Sequence, residues 1–332
     1  MELPASLPSV NRMPGIVRAA REWLRPCVPK HLAARFRLPS PQALEAVRGA
    51  LVEHWFDPSH LSTPEGKADL ENHLSRRLEQ DRRHVITWLD SARPLAGATI
   101  LEIGCGTGSS TVALAEQGAN VTALDIDEPA LAVARSRLRA FDLTAELVAL
   151  EATRIESHFA GQAFDFVIFY ASLEHMTTEE RLASLAQAWR LLPRDGLLAV
   201  VEAPNRLWYH DHHTSHLNFF FWLPDDLAAA YARHSPRPRV READWHVKGS
   251  GKLDLARAGR GVSYHEFELA IAPIENLEVV SGLAQFERSR DPTLRWRWRY
   301  SREGRYARML SKIEPRLHAA FFEPQLNVIV RR

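Results

Sequence analysis

The chain of 332 residues has few cysteines, no long apolar run and almost no net charge. Cys27 and Cys105 are its only cysteines, too few for a disulfide framework, so a reducing, cytoplasmic setting is expected. No apolar run approaches the roughly 18 residues of a membrane span. Prolines at positions 4, 8 and 14 stand where a signal peptide would have its apolar core. The net charge of +1 makes nucleic acid an unfavoured partner.

Enough apolar material is present for a large buried core, since 45% of the residues are hydrophobic. The length suits one large domain with appended elements better than two equal domains. Helical spacing of apolar residues predicts a helical cap over residues 41–94, followed by a core over residues 95–203. Residues 1–40 form a proline-rich arm with seven basic and two acidic side chains. We expect this arm to pack on its own domain or on a partner subunit, with peripheral contact to an anionic membrane as the alternative.

The most informative stretch covers residues 100–125. An apolar run leads into Gly104, Gly106 and Gly108, helical spacing follows over residues 110–117, and a second apolar run ends at Asp125. Strand, glycine turn, helix, strand and acid is the plan of a nucleoside-binding βαβ unit. The terminal carboxylate of such a unit accepts hydrogen bonds from two ribose hydroxyls.

A dinucleotide site has the same plan but a different glycine spacing, Gly-x-Gly-x-x-Gly, against a pyrophosphate. Here the run is Gly-x-Gly-x-Gly, and Glu102 before it would repel a pyrophosphate but support a cationic ligand. This pattern resembles motif I of class I S-adenosylmethionine-dependent methyltransferases. Over about residues 95–225, the chain resembles the ubiquinone-type O-methyltransferases. This resemblance implies S-adenosylmethionine as cofactor, bound by Glu102, Gly104, Cys105, Gly106, Thr107, Gly108, Asp125, Ile126, Glu151, Ala152 and Tyr170.

The resemblance also implies an α/β, Rossmann-like fold with a seven-stranded sheet and helices on both faces. Apolar runs predict its later strands, and the last of them is expected to run antiparallel beside the sixth. An insertion over residues 204–276, rich in histidine and aromatics, is expected on the substrate side. Residues 277–332 hold the closing strands and an Arg/Trp-rich insertion. The later predicted strands cover residues 146–150, 164–170, 197–201, 277–283 and 326–330, and the predicted helices residues 130–141 and 178–192.

Two histidine-bearing segments follow the fourth and fifth predicted strands. Glu174 and His175 resemble the position at which ubiquinone-type and small-RNA 2′-O-methyltransferases hold a divalent metal, but Ala171 replaces the first carboxylate. Two ligands are too few to bind a metal firmly, so we expect no metal site. We expect His175 to act as a base or hydrogen-bond donor; the alternative is a backbone hydrogen bond from His175 and a helix-capping role for Glu174.

The second segment places four histidines within residues 210–216. A neutral imidazole can take the proton released when a hydroxyl attacks a sulfonium methyl, because its pKa lies near the working pH. Imidazoles can equally bind metal, and a surface loop with one structural histidine is the remaining alternative. The residues predicted as possible bases are His175, His210, His212, His213 and His216, and those predicted to contact the substrate are Glu174, Asn205, Arg206, Phe220 and Trp222.

Residues 294–300 alternate between aromatic and basic side chains, so as a strand they would have one aromatic and one guanidinium face. Arg302, Arg305 and Arg308 continue the charge at helical spacing. Such faces suit phosphate, carboxylate or single-stranded RNA, although a solvated or internally paired face is favoured.

The predicted function is S-adenosylmethionine-dependent methylation of a small-molecule or glycosyl hydroxyl, with a histidine as the base that removes the hydroxyl proton. The alternatives are N- or S-methylation of a metabolite, RNA 2′-O-methylation and, less favoured, a non-enzymatic RNA- or membrane-binding role. The sequence leaves the oligomeric state open, with a homodimer as one option.

Overall fold

The computed structural model describes residues 28–245 and 255–332. Seven strands form one mixed sheet in the order β3-β2-β1-β4-β5-β7-β6, in which β7 runs antiparallel to β5 and β6 and the other pairs are parallel. The predicted α/β, Rossmann-like sheet and its antiparallel last strand are confirmed. The strands are β1 Thr99–Ile103, β2 Asn120–Asp125, β3 Glu146–Ala149, β4 Phe166–Tyr170, β5 Leu197–Pro204, β6 Glu278–Gly282 and β7 Gln325–Arg331.

Strand β4 lies at the centre of the sheet and all five of its residues are buried. Burial on both faces explains its continuous apolarity, since an alternating pattern is expected only where one face is solvated. The main buried cluster of this part of the chain joins β4 to β5 and β7 through Phe169, Val200 and Val328. The carboxyl ends of the central parallel strands are therefore fixed by a well-packed core.

The described residues fold into two compact units. The first unit comprises the described residues up to Ala96 together with Gly106–Ala119 and Asp127–Ala145. The second comprises Gly97–Cys105, Asn120–Ile126 and the described residues from Glu146 to Arg332, and it contains all seven strands. This division crosses the core predicted over residues 95–203, because two of the helices that connect its strands belong to the first unit. Residues 1–27 of the predicted arm lie outside the described residues.

In the first unit, a long helical stretch over residues 64–92 includes two π-helical turns. Helix Pro41–His54 packs on helix Glu128–Ala140 through Val47, Leu51 and Val133. Its α-helices are Lys30–Ala33, Pro41–His54, Pro58–Leu61, Pro64–Glu71, Arg77–Gln80, Ile86–Ala92, Ser109–Ala115 and Glu128–Ala140, and its π-helical turns are Asn72–Arg76 and Asp81–Val85.

In the second unit, helix Thr178–Leu191 connects β4 to β5, and the insertion predicted after β5 contains several short helices. No helix among the residues described in either unit is long and apolar enough to span a membrane. The α-helices of this unit are Ile155–His158, Thr178–Leu191, Asp225–Tyr231, Pro238–Arg241, Leu255–Ala258, Tyr264–Ala270, Leu283–Arg290, Pro292–Tyr300 and Arg302–Ile313. Its 3-10 turns are Ala152–Arg154, Leu173–His175, Phe220–Trp222, Ala232–His234, Ile274–Asn276 and Ala319–Phe322.

The strand considered for residues 294–300 is wrong, because these residues belong to helix Pro292–Tyr300. The side chain of Asp291 accepts a hydrogen bond from the Thr293 N–H at 2.8 Å, and Pro292 occupies the first helical position. An acidic cap followed by proline is a strong helix start, and it overrides a two-residue alternation that extends over only seven positions. The helical spacing predicted from Arg302 onwards is confirmed by helix Arg302–Ile313.

Candidate functional site

The carboxyl ends of β1 and β2 bring the start of the glycine loop beside Asp125. The Gly104 and Cys105 N–H groups both donate to the Leu124 carbonyl, at 2.9 and 3.1 Å. Asp125 follows Leu124 and is half-buried, and Ile126 beyond it is 70% exposed. A carboxylate acceptor next to an exposed apolar side chain is the chemistry that a ribose and its base require, so these residues fit a nucleoside such as that of S-adenosylmethionine.

Gly104 is required at the point where the loop passes the end of β4. Its φ is +84°, and a Cβ at this position would lie 2.4 Å from the Cβ of Ser172. The Ser172 hydroxyl donates to the Ile103 carbonyl at 3.0 Å. The loop after β1 and the turn after β4 are thereby fixed to one another, and no larger residue could replace Gly104 without moving one of them.

The remainder of the glycine loop lies in the first unit. Gly106 and Gly108 both have positive φ, and Gly108 directly precedes helix Ser109–Ala115, whose residues are all buried. The guanidinium of Arg137, fully buried, donates to the Thr107 carbonyl at 2.8 Å and holds the loop backbone in place. Its burial lowers the Arg137 pKa to about 10, so the side chain keeps its charge at neutral pH.

The other residues predicted to bind the cofactor lie at or near the carboxyl ends of the strands, except Glu102. Glu102 lies within β1 and is fully buried. Glu151 is exposed just beyond β3, and the Leu150 N–H before it donates to the Asp125 carbonyl at 3.1 Å. Ala152 and Tyr170 are buried.

Three predicted residues converge just beyond β4 and β5. Glu174 lies in the 3-10 turn Leu173–His175 and is fully buried. Its Oε1 lies 4.0 Å from Nε2 of His175 and 3.9 Å from Nε2 of His213. The two imidazole rings are 5.4 Å apart. The structure therefore selects His213 from the four histidines of residues 210–216 as the partner of His175.

The remaining three histidines of the loop lie elsewhere. His210 and His212 form a separate ring contact at 4.4 Å, and His210 Nδ1 lies 2.8 Å from Oδ1 of Asn218. His212 and His216 are exposed. Their roles as bases stay predictions.

Hydrogen bonds fix the tautomers of the two paired histidines. His175 Nδ1 lies 2.8 Å from the Arg257 carbonyl, which can only accept, so Nδ1 carries the proton. Thr214 Oγ1 donates to the Gly259 carbonyl at 2.7 Å and lies 3.1 Å from His213 Nδ1, so Nδ1 of His213 is the donor there. In both rings Nε2 therefore keeps its lone pair and lies towards the Glu174 carboxylate.

Both imidazoles are neutral at physiological pH. Burial lowers the pKa of His175 below its usual value. Burial, and then the neighbouring His175, lower the pKa of His213 to about 4. Two neutral imidazoles with free Nε2 lone pairs can accept a proton from a bound hydroxyl or coordinate a cation.

Among the described residues, Glu174, His175 and His213 form a group whose ligand atoms all lie within 4.8 Å of one another. The structure thus places His213 as the candidate third ligand, which the sequence had left open among the four histidines of residues 210–216. The donor set of two imidazoles and one carboxylate suits zinc or a related divalent ion.

A segment of the insertion, residues 257–262, positions this group, and its role was missed from the sequence. Gly259 has a φ of +114°, and a Cβ there would lie 2.5 Å from Nδ1 of His213, so the glycine leaves room for the ring. The Arg260 N–H donates to the Glu174 carbonyl at 2.9 Å. No local pattern around Gly259 signals this contact, because it depends on two segments far apart in the chain.

Two buried polar side chains complete the framework. The Arg181 guanidinium donates to the carbonyls of Leu173 at 2.7 Å, Arg260 at 3.0 Å and Glu174 at 3.2 Å. Asp211 accepts from the backbone N–H groups of residues 213, 214 and 215 at 2.6–2.8 Å, which shapes the histidine loop. An aspartate two residues before its bonded N–H is a recognisable turn signal that could have identified Asp211 from sequence.

The predicted substrate residues are divided between interior and surface. Asn205 is buried, and its amide donates to the carbonyls of Phe321 and Glu323 at 2.7 and 2.8 Å. Phe220 is fully buried in a local apolar cluster. Trp222 is 49% exposed and its indole N–H donates to the Arg206 carbonyl at 2.8 Å. Asn205 and Phe220 thus hold the insertion together, while Trp222 and the half-buried Arg206 are accessible to a substrate.

Residues 100–196 match the family model described as a methyltransferase domain. These residues are a methyltransferase domain. The resemblance seen in the sequence is confirmed for this part of the chain, whose strands and glycine loop have the arrangement described above.

Relatives support the domain but not one substrate. The chain is 33% identical over 121 residues to the ubiquinone biosynthesis O-methyltransferase of Pseudomonas paraeruginosa (strain DSM 24068 / PA7), covering 36% of this chain and 50% of the relative. It is also 33% identical over 118 residues to the cypemycin N-terminal methyltransferase of Streptomyces sp, covering 34% of this chain and 44% of that protein. The chain thus spans about half the length of the curated relatives it matches.

A solved structure, magnesium protoporphyrin IX methyltransferase (ChlM) from Synechocystis PCC 6803 with bound SAM, is 24% identical. The comparison covers 49% of this chain and 77% of that chain, with a TM-score of 0.35.

Proposed function

We propose that the protein transfers the methyl group of S-adenosylmethionine to a hydroxyl of a small-molecule or glycosyl acceptor. The methyltransferase domain over residues 100–196 supports the donor. The observation that carries the choice of a hydroxyl is the pair of neutral imidazoles, His175 and His213, beside buried Glu174. A hydroxyl must lose its proton as it attacks, whereas many nitrogen or sulfur acceptors need no base.

Each part of the site has a separate task. Asp125 accepts hydrogen bonds from the ribose hydroxyls, and the backbone of the glycine loop leaves space for the nucleoside. S-adenosylmethionine supplies, when bound, a methyl group that is already activated by the sulfonium charge. The protein must therefore align an acceptor oxygen with that carbon and remove its proton, and alignment alone contributes a large part of such a rate.

The proton passes from the acceptor hydroxyl to Nε2 of one member of the histidine pair. The charge that forms on the imidazole is stabilised by the Glu174 carboxylate, 3.9–4.0 Å away in a buried setting. The carbonyl of Arg257 and the hydroxyl of Thr214 hold the Nδ1 protons and keep both rings in the productive tautomer. Release of the proton to solvent after product departure restores the neutral pair.

The test is a transfer screen with the full chain, S-adenosylmethionine and phenolic, glycosyl and RNA acceptors, with the methylated atom identified by mass spectrometry. We expect an O-methylated small molecule and one equivalent of S-adenosylhomocysteine per product. A product methylated on nitrogen or sulfur would contradict the hydroxyl acceptor, and no transfer with any acceptor class would contradict the activity.

A metal-assisted form of the same reaction is a second candidate, favoured by the convergence of three ligand atoms at Glu174, His175 and His213. A divalent ion at this group would bind the acceptor oxygen and lower its pKa. Metal analysis of the purified protein and activity after chelation separate the two forms. For the metal-free base proposed above, chelation leaves activity unchanged. Stoichiometric metal that is lost in Glu174→Ala, with activity restored by added Mg²⁺, Mn²⁺ or Zn²⁺, would establish the second form instead.

A further inference from the structure

The strongest surface feature outside the site is a pair of consecutive helices between β6 and β7, which we call the basic helix pair: Pro292–Tyr300 and Arg302–Ile313. Over residues 292–313 it has seven basic side chains and one acidic side chain. Arg295, Arg297 and Arg299 are exposed, and no ion pair to any of them occurs among the described residues. The pair is strongly basic in a chain whose net charge is only +1.

The inner face of the basic helix pair belongs to the core of the second unit. Trp298, Tyr306 and Leu310 pack against the main buried cluster, and Ala307 is part of it. The guanidinium of Arg288 lies 4.4 Å from the centre of the Trp298 ring. One aromatic residue of each helix, Trp298 or Tyr306, is therefore packed against the core, and these contacts define the side of the pair that faces the protein.

The outer face carries apolar side chains that are largely exposed. Trp296 and Tyr300 are 64% and 60% exposed, lie one helical turn apart and have ring centres separated by 5.3 Å. On the second helix, Met309 and Ile313 repeat this spacing and are 48% and 71% exposed. Exposed apolar groups arranged at i and i+4 on two successive helices are typical of an interaction surface.

The turn between the helices keeps the pair together. The Ser301 hydroxyl accepts from the Gly304 N–H at 2.9 Å, which caps the second helix. The Arg308 guanidinium donates to the Arg299 carbonyl at 2.8 Å, and that of Arg305 donates to the Tyr300 carbonyl at 3.0 Å. Cations at the end of the first helix also offset its dipole, so the geometry of the outer face is held by local bonds.

We propose that the basic helix pair docks the protein on an anionic membrane surface. Trp296 and Tyr300 have the amphipathic rings that favour the headgroup region, and Met309 and Ile313 can enter the acyl boundary. The arginines around them pair with lipid phosphates. This proposal is independent of the methyl acceptor.

Single-stranded RNA is the other anionic polymer that arginine and aromatic residues can bind. It is less well matched here because Met309 and Ile313, both exposed, have no ring on which a base could stack. The residues also form two helices, not the strand with separate aromatic and guanidinium faces that first suggested RNA. Lipid accounts for both the aromatic and the aliphatic exposure.

The test is flotation of the full chain with vesicles of equal parts phosphatidylglycerol and phosphatidylcholine, and with vesicles of phosphatidylcholine alone. We expect binding to the anionic vesicles only, weakened by high salt because surface charge is screened. Arg295→Gln combined with Arg299→Gln should weaken binding about thirtyfold, at roughly one kcal/mol for each charge. Trp296→Ser combined with Ile313→Ser should weaken it about tenfold or more through loss of apolar insertion.

The control is an exposed apolar pair that is four residues apart, like Trp296 and Tyr300, but lies on an acidic helix. Leu227 and Tyr231 are 51% and 43% exposed on helix Asp225–Tyr231, so Leu227→Ser combined with Tyr231→Ser should leave vesicle binding unchanged. Melting curves of all variants confirm that they fold. Absence of vesicle binding by the full chain would overturn the proposal. It would also be overturned if both helix-pair variants bound vesicles as well as the unchanged chain does, which would assign the contact to the arm of residues 1–40. RNA binding without vesicle binding, or dimer dissociation in the helix-pair variants, would overturn it in favour of RNA or a second copy.

Discussion

The glycine loop and the histidine site are held in place by different means. In the loop, backbone conformation does most of the work: three glycines with positive φ and hydrogen bonds to the Leu124 and Thr107 carbonyls set its path. In the histidine site, the side chains of Arg181 and Asp211 each fix one segment, and Gly259 leaves room for the His213 ring. The loop depends on a compact local motif, whereas the histidine site depends on contacts between segments that are far apart in the sequence.

Because of this difference, we expect cofactor binding and the choice of acceptor to depend on different parts of the chain. The sheet can stay the same while the insertion varies, which fits relatives whose names include both an O-methyltransferase and an N-terminal methyltransferase. The insertion that supplies His213 is therefore the part that we expect to choose the acceptor. Variants in the two regions should have separable effects, on cofactor affinity in one and on turnover in the other.

The largest separation is expected from His213→Ala. Removal of a general base typically reduces turnover by about 10²–10⁴-fold. Affinity for S-adenosylmethionine should change little, because His213 belongs to the insertion. His210→Ala is the matched control in the same loop and should keep most of the activity. If both variants turn over like the wild type, the histidine pair is not the base.

The next largest effect is expected from Gly104→Ala, and it is on the stability of the fold. The added Cβ would meet Ser172 at 2.4 Å and the left-handed backbone would be strained, together costing about 2–4 kcal/mol of folding free energy. Gly106→Ala is the control, since its Cβ would meet no heavy atom within 4 Å and only the backbone term of about 1–2 kcal/mol applies. Urea unfolding of both variants measures the difference, and equal stabilities would contradict the close approach of the loop to Ser172.

A smaller effect should follow Gly259→Ala. A Cβ at 2.5 Å from His213 Nδ1 must displace the imidazole, and a misplacement on the order of 1 Å reduces turnover by about 10–10²-fold. The cofactor dissociation constant, measured by calorimetry, should stay within about twofold of the wild type. Weakened cofactor binding with unchanged turnover would show that Gly259 serves the loop and not the histidine site.

The smallest effect is on the pH dependence of stability. The pKa of His213 is about 4 in the folded protein, below its ordinary value of 6.5, so the unfolded chain binds more protons between these values. The contribution of His213 to stability is present above pH 6.5 and is lost as the pH falls towards 4. In His213→Gln the decrease in unfolding free energy over this range should be smaller by about 2 kcal/mol, a figure discounted for partial exposure of the ring. Parallel curves for the two proteins would contradict the lowered pKa.

The parts of the fold with local signals were predictable from the sequence. The glycine run, the apolar strands and Asp125 are each defined by a few neighbouring residues, and the seven predicted strands differ from the observed ones by at most three residues at an end. The pairing of His213 with His175 was not predictable, because it depends on Gly259 and Arg181 in segments far apart in the chain. The helix at Pro292–Tyr300 was missed because side-chain alternation was given more weight than the cap at Asp291.

The central claim is that the protein binds S-adenosylmethionine and not a dinucleotide. Titration calorimetry of the full chain with S-adenosylmethionine, S-adenosylhomocysteine and NAD tests it most directly. We expect both sulfur nucleosides to bind, NAD to give no heat, and Asp125→Ala to weaken binding by about 1.5–3 kcal/mol through loss of a charged hydrogen bond. Binding of NAD without binding of S-adenosylmethionine would contradict the claim.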